Sequence, residues 1–148
     1  MDPLQRFGAY AMDFEKTFED DDWSRLAGYF AEDAVYTVSG TPFDCEIRGR
    51  DAIFRAIKKS IDGLDRRFDK REIVPDGAPV VDGNRVTFSG KGHYEKEGVD
   101  SLTIELSETA ELDEEGRIVS LTDVYPEGQD EMLGWFERHG AEFDPSYI

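Results

Sequence analysis

The sequence predicts an α+β fold. In it a curved, mixed but mostly antiparallel sheet wraps around N-terminal helices as a cone-shaped barrel, and a further helix closes the chain. Three observations predict it. Apolar residues recur at helical spacing up to about residue 64, the period switches to two from Arg66 onward, and the period-two segments are separated by Gly, Pro, Asp or Asn clusters of hairpin type. Helices first and strands afterwards is α+β segregation, not parallel βαβ alternation. No internal repeat, low-complexity tract or linker interrupts the 148 residues, so 1–148 reads as one domain, long enough to bury a core.

Residues 3–20 place Leu4, Phe7, Ala11, Phe14 and Phe18 at steps of three and four, an apolar helical stripe. Asp2 as N-cap, Pro3 at the first helical position and Gln5 three residues after Asp2 form a start signal. The acidic run Glu19–Asp22 breaks this helix, and Trp23, Leu26, Ala27 and Phe30 predict a second, short one. Ala34–Ser39 is β-prone and runs into irregular Gly40-Thr41-Pro42-Phe43-Asp44. A third helix is expected from Gly49-Arg50-Asp51, with Ile53, Ile57, Ile61 and Leu64 on one face and Phe54 flanking them. Strands are expected at about 66–75, 84–96, 100–112 and 117–125, with Gly90 and Gly92 where the second must bend. A last helix over 127–139 carries Met132, Leu133, Trp135 and Phe136, with Gly140 as an αL cap.

The charge is the unusual term. With 34 acidic and 17 basic residues the chain carries −17, which repels phosphate backbones and anionic lipid; nucleic acid and membrane surfaces are excluded as expected partners. A saline habitat would also explain the acidity. Cys45 is alone, which excludes an intramolecular disulfide and a cysteine metal site, and His93 and His139 are too far apart in sequence to suggest a histidine one; neither metal nor cofactor is expected. No secretory leader and no window of 18 apolar residues is visible, so the cytoplasm is the expected compartment.

The hairpin of 101–112 and 117–125 carries the candidate chemistry. On its first arm Leu102, Ile104, Leu106, Glu108, Ala110 and Leu112 share a face, and on its second Val119, Leu121, Asp123 and Tyr125 do. If the turn at 113–116 pairs Leu112 with Arg117, Glu108 faces Leu121 and Asp123 faces Leu106. The two acids are then diagonal neighbours roughly 7–8 Å apart. Inward carboxyls in an apolar cavity titrate as a pair, one ionised and one protonated, which suits a general base beside a general acid. Either acid also has a plainer reading, solvent at the mouth of the cone or a buried Arg or Lys partner. Tyr36 and Val38 share a face of the first strand, and Tyr36 can donate to a water or carbonyl. Tyr10 lies beside the Phe7/Phe14 stripe, at core or rim. His93 falls on a polar strand face, His139 near a helix end where its charged form suits the dipole, and Cys45 between acids that disfavour a thiolate.

Three local pieces carry a resemblance: Phe30-Ala31-Glu32-Asp33-Ala34-Val35-Tyr36, Gly49-Arg50-Asp51-Ala52-Ile53, and Gly116-Arg117-Ile118 leading to Leu121-Thr122-Asp123-Val124-Tyr125. With the order of elements, they make the chain similar to the nuclear-transport-factor-2-like superfamily, within it the SnoaL-like proteins and limonene-1,2-epoxide hydrolase. The resemblance implies a deep pocket and a homodimer through the outer sheet face. It puts Tyr36 where the hydrolases hold the catalytic water and Asp123 where they activate it. Val38 stands at the companion asparagine, and Glu108-Thr109-Ala110 stands where an Arg-x-Asp pair is expected, so the hydrolase set is incomplete. The isomerase set is too, since the ketosteroid-isomerase base aligns with Val38. The expected function is general acid–base catalysis on a small hydrophobic molecule by a hydrolase, cyclase or isomerase. Asp123 would be base, Glu108 proton donor and Tyr36 the orienting hydroxyl, with Tyr10, Phe14, Val38, Phe54, Phe88, Leu106, Leu121 and Tyr125 around the ligand. The alternative is a non-catalytic ligand pocket or a structural dimer module.

Overall fold

Three α-helices, two 3-10 segments and one sheet make up the described residues, 2–148, of the computed structural model. Helix α1 (Pro3–Asp20) starts as expected, with the Asp2 carboxylate accepting from the Leu4 amide. Its buried face is turned slightly from the predicted stripe. Phe7, Tyr10 and Thr17 are buried, Phe14 and Phe18 partly so, and Leu4 and Ala11 are not. Asp21, at φ +62, ends the helix, and the Asp22 carboxylate caps a seven-residue 3-10 helix, Trp23–Tyr29, by accepting from the Ser24 amide. This 3-10 segment stands where a second α-helix was expected. Phe30, the last residue of the predicted stripe, belongs to the next strand, so the helical segment is confined to 23–29, and short segments of this kind are where 3-10 geometry is common.

Strand β1 (Phe30–Ser39) is longer than predicted and pairs with a strand the sequence did not reveal, β2 (Cys45–Arg48), which removes Cys45 from the irregular segment. Helix α2 (Arg50–Gly63) turns Ile53, Ile57 and Ile61 inward as expected. Strands β3 (Lys70–Pro75) and β4 (Val80–Asp82) lie one after the other along β5 (Arg85–Lys96); β4, three residues long, was also not foreseen. Then come β6 (Val99–Leu112), β7 (Ile118–Val124) and helix α3 (Asp130–His139). The sheet runs β2-β1-β7-β6-β5-β3 and is open; β1 and β7 are parallel and every other pair antiparallel.

Two expectations near the C-terminus are corrected. Helix α3 starts three residues late because Gln129 pairs both ways with the backbone of Glu105 and also donates to Pro126, holding 126–129 in a bend with Gly128 at φ +86. Gly140 is right-handed, φ −62, because the helical ladder continues through it to Phe136. The chain then folds back over α2. The Asp144 amide donates to Gly63 (3.1 Å), and the buried Ser60 hydroxyl donates to Pro145 (2.7 Å).

The β6–β7 register differs from the simple hairpin. Asp113 shapes the turn by accepting from the amides of Glu115 and Arg117, but Leu112 pairs with Ile118, and Val119 pairs with neither neighbouring strand. This bulge buries Ile118 and leaves Val119 only partly covered, the reverse of plain alternation. Beyond it the register has moved by two residues, so faces are preserved and Glu108 lies directly opposite Asp123.

A side chain at Gly63 would overlap the Asp144 carbonyl oxygen, and backbone cannot swing aside as a side chain can. Gly63→Ala is therefore expected to cost about 1–3 kcal/mol and to raise hydrogen exchange in 143–147, read by urea unfolding and exchange mass spectrometry. Unchanged exchange there would show that the tail is held by something else.

Candidate functional site

A cavity of about 420 Å³ lies between the concave face of the sheet, α1, α2 and the C-terminal tail. Ile57, Ile61 and Leu64 form its apolar wall from α2, and Phe7, Tyr10 and Phe14 from α1. Gly90 and Gly92 matter here. A Cβ at Gly90 would touch the Phe88 ring and one at Gly92 the Tyr94 ring, so the glycines make room for two rings that border the space.

All three residues expected to carry chemistry meet at this cavity. Tyr36, on β1, donates to Asp123 Oδ2 on parallel β7 at 2.5 Å, both side chains being buried. Glu108 faces Asp123 across the antiparallel ladder. It is only half-buried as a residue because it borders the cavity, yet protein surrounds it. Burial pushes the Glu108 carboxyl well above the usual range, and the Asp123 charge and a proton shared with Asp123 push it further. Burial also raises Asp123, but hydrogen bonds from Glu108 and Tyr36 oppose that rise. Of the two, Glu108 is held higher and Asp123 is drawn back down, so a proton shared by the pair favours Glu108. As two carboxylates both would be acceptors, leaving Asp123 Oδ1 buried without a partner; a proton on Glu108 supplies the missing donor.

The Tyr36 hydroxyl proton is thus committed to Asp123, so towards a water this hydroxyl can accept but not donate, where a donor was expected. The hydroxyl of Tyr10, which borders the cavity, has no hydrogen-bond partner among the described residues. Of the expected wall, Tyr10, Phe14, Phe88, Leu106, Leu121 and Tyr125 border the cavity; Val38 and Phe54 do not. Val38 shares the inward face with Tyr36 but is sealed in the core, aligned with Asp123 on one side and Cys45 on the other. Phe54 projects from the other side of α2, edge-on to Phe30 and against Trp23.

The sequence reading missed two contributors. Tyr147, brought in by the tail, packs edge-on to Tyr36 and lies 3.4 Å from the Tyr125 hydroxyl. An ion-pair cluster of Arg71, Asp65 and Glu15 also borders the space. Its only sequence signal was the alternation that puts Arg71 and Ile73 on one face of β3. His93 shares a hydrogen bond with Thr103 outside the cavity, and His139 lies in the last turn of α3, 3.6 Å from Asp100. Burial, the larger cause, and nearby acids raise the Cys45 thiol. Among the described residues no group of three or more His, Cys, Asp and Glu stands where a metal could be held, and no helix is long and apolar enough to cross a membrane.

An open, conical mixed sheet with a helix-capped cavity defines the nuclear-transport-factor-2-like class. Within it the chain belongs to the SnoaL-like domain family, whose profile matches residues 12–121. Solved structures share the fold at low identity. A nuclear-transport-factor-2-like protein of unknown function from Burkholderia pseudomallei has TM-score 0.65 at 16% identity, over 91% of this chain and 98% of that one. A limonene-epoxide-hydrolase-like epoxide hydrolase from M. tuberculosis has TM-score 0.61 at 16%, over 94% and 92%. A protein of ketosteroid-isomerase-like fold from Catenulispora acidiphila, solved with trimethylamine, has TM-score 0.58 at 16%, over 80% and 85%. No curated protein matches the sequence.

The raised Glu108 carboxyl fixes a sign. An acid lifted in the folded state stabilises the fold fully below its unfolded value, near 4.5, and loses that contribution as pH rises through the folded one. Glu108→Gln is therefore expected to unfold at higher urea than wild type, with the gap widening from pH 5 towards alkaline pH. A constant gap would mean that Glu108 is solvated.

Proposed function

We propose that this protein is a general acid–base enzyme acting on a small, largely apolar molecule, and that it moves a proton between nearby atoms of it, as an isomerase or cyclase does. The observation that carries this reading is the direct opposition of Glu108 and Asp123. Directly opposed residues have Cβ atoms about 4.5–5.5 Å apart, so a proton taken by the Asp123 carboxylate and one returned by the Glu108 acid reach the same side of a ligand. Hydrolysis is favoured less, because the Tyr36 hydroxyl proton is used on Asp123, leaving that hydroxyl only to accept from a water. The free Tyr10 hydroxyl is the donor left for a substrate oxygen.

The test is a screen of β-keto esters, small terpenoids and epoxides. Asp123→Asn is expected to lower turnover by about 10²–10⁴-fold. Turnover unaffected by that change would remove Asp123 from the mechanism; ligand binding without turnover in wild type would favour a binding pocket. Tyr36→Phe removes a hydrogen bond that holds the Asp123 carboxyl down. The acid limb of the kcat/KM profile should therefore move to higher pH, and a stationary limb would mean that another group is the base.

We also infer a homodimer through the outer sheet face. Thr37, Thr122, Thr109 and Thr87 align across four strands, and Ser39, Val124, Ser107 and Ser89 form the next row. Neither row carries a charge, in a chain with 34 acidic and 17 basic residues. Light scattering should give twice the mass of one chain, and Thr109→Arg should halve it. A monomeric wild type removes this inference.

A further inference from the structure

The cavity has a second polar pole, at Arg71, that the acid–base chemistry leaves unused. Arg71 donates through Nε to Asp65 Oδ2 (3.0 Å) and through Nη1 to Glu15 Oε2 (2.8 Å), and its guanidinium lies over the Phe18 ring at 4.4 Å. Tyr94 donates to the same Asp65 oxygen at 3.3 Å. Nη2 has no hydrogen-bond partner among the described residues and retains accessible surface. Two committed nitrogens and a ring beneath them leave one uncommitted nitrogen in a fixed orientation, which lowers the entropy lost when an acceptor arrives.

Position and charge say what that acceptor is. Arg71 lies opposite Tyr94 on β5, and Glu108 opposite Phe88. Six residues of extended strand, about 20 Å, separate those partners, a span shortened by the curl of the sheet and by long inward side chains. The two poles therefore sit at different ends of one space. Glu15, Asp65 and Asp123 border it against a single cation, Arg71, and no Lys or His does. A carboxylate or phosphate would meet this excess of negative charge, whereas a neutral oxygen takes the hydrogen bond without it.

We propose that the cavity selects a neutral, elongated, mainly apolar molecule with a carbonyl or ester oxygen at the end remote from Asp123, and that Arg71 recognises this oxygen. The proposal rests on the cavity being a ligand site, as the acid–base reading does, but not on Asp123 turning the ligand over.

Calorimetric binding of four probes on one skeleton tests it: methyl cinnamate, propenylbenzene, cinnamate and cinnamylamine. Wild type is expected to bind the ester about tenfold tighter than the hydrocarbon, the size of one hydrogen bond to a charged group, and the anion most weakly. Because Arg71 removed alone would strand Asp65, the decisive variant is the double change Arg71→Met, Asp65→Asn, with its fold checked by circular dichroism. It should bind the hydrocarbon as wild type does and lose the preference for the ester. Glu108→Gln should keep that preference, which separates Arg71 from the catalytic pole. Equal binding of ester and hydrocarbon, tightest binding of the anion or the amine, an ester preference surviving the double change, or no binding by any probe would overturn the proposal. Since only binding is read, the first three leave the role of Asp123 standing, while the last also counts against the acid–base reading.

Discussion

The hydrogen bond from Tyr36 to Asp123 holds down a carboxyl that burial lifts, inside a space walled largely by aromatic and aliphatic side chains, and much of the architecture can be read as what that carboxyl requires. A lone carboxylate there would take up a proton. One donor comes from the neighbouring parallel strand and a second from the facing acid, so β1, β7 and β6 must hold their registers together. Val119 supplies part of the adjustment. The turn, which pairs Leu112 with Ile118, moves the ladder by one residue, and the unpaired Val119 moves it by one more, which brings the two acids face to face with a local break in alternation.

Much of this was legible in the sequence, because the signals were local and periodic. The caps and stripe of α1, the inward face of α2 and the long strands β5 to β7 follow from spacing alone, and parity kept Glu108 and Asp123 on the cavity side even though the pairing was displaced. What was illegible depends on the rest of the chain. Strands of three and four residues, such as β4 and β2, carry too little pattern to announce themselves. The commitment of the Tyr36 hydroxyl depends on how closely two distant strands lie, and Arg71 becomes a cavity residue only when Asp65 and Glu15 fold against it. Tyr147 gave no sign at all, since nothing in its own neighbourhood says that α2 will receive it.

The chain's charge takes on a local meaning as well. Acidity spread over the surface keeps molecules apart, while the central rows of the outer sheet face lack charge and the cavity keeps one guanidinium among its acids. Similarity to proteins of 16% identity shows a shared fold, and the chemistry has to be read from residues such as these.

The tail also divides the cavity wall by durability. Sheet and helices share long ladders and a continuous core, but 143–147 are held by a few contacts: the Asp144 amide on Gly63, the Ser60 hydroxyl on Pro145, and Phe143 packed on Phe68 and Trp135. Releasing a short segment costs less than global unfolding. Tyr147, beyond the buried Phe143, is thus the part of the wall that local opening would free at least cost. Exchange of whatever occupies the space can track the rate at which one terminal segment lifts, leaving the register that holds the two acids undisturbed.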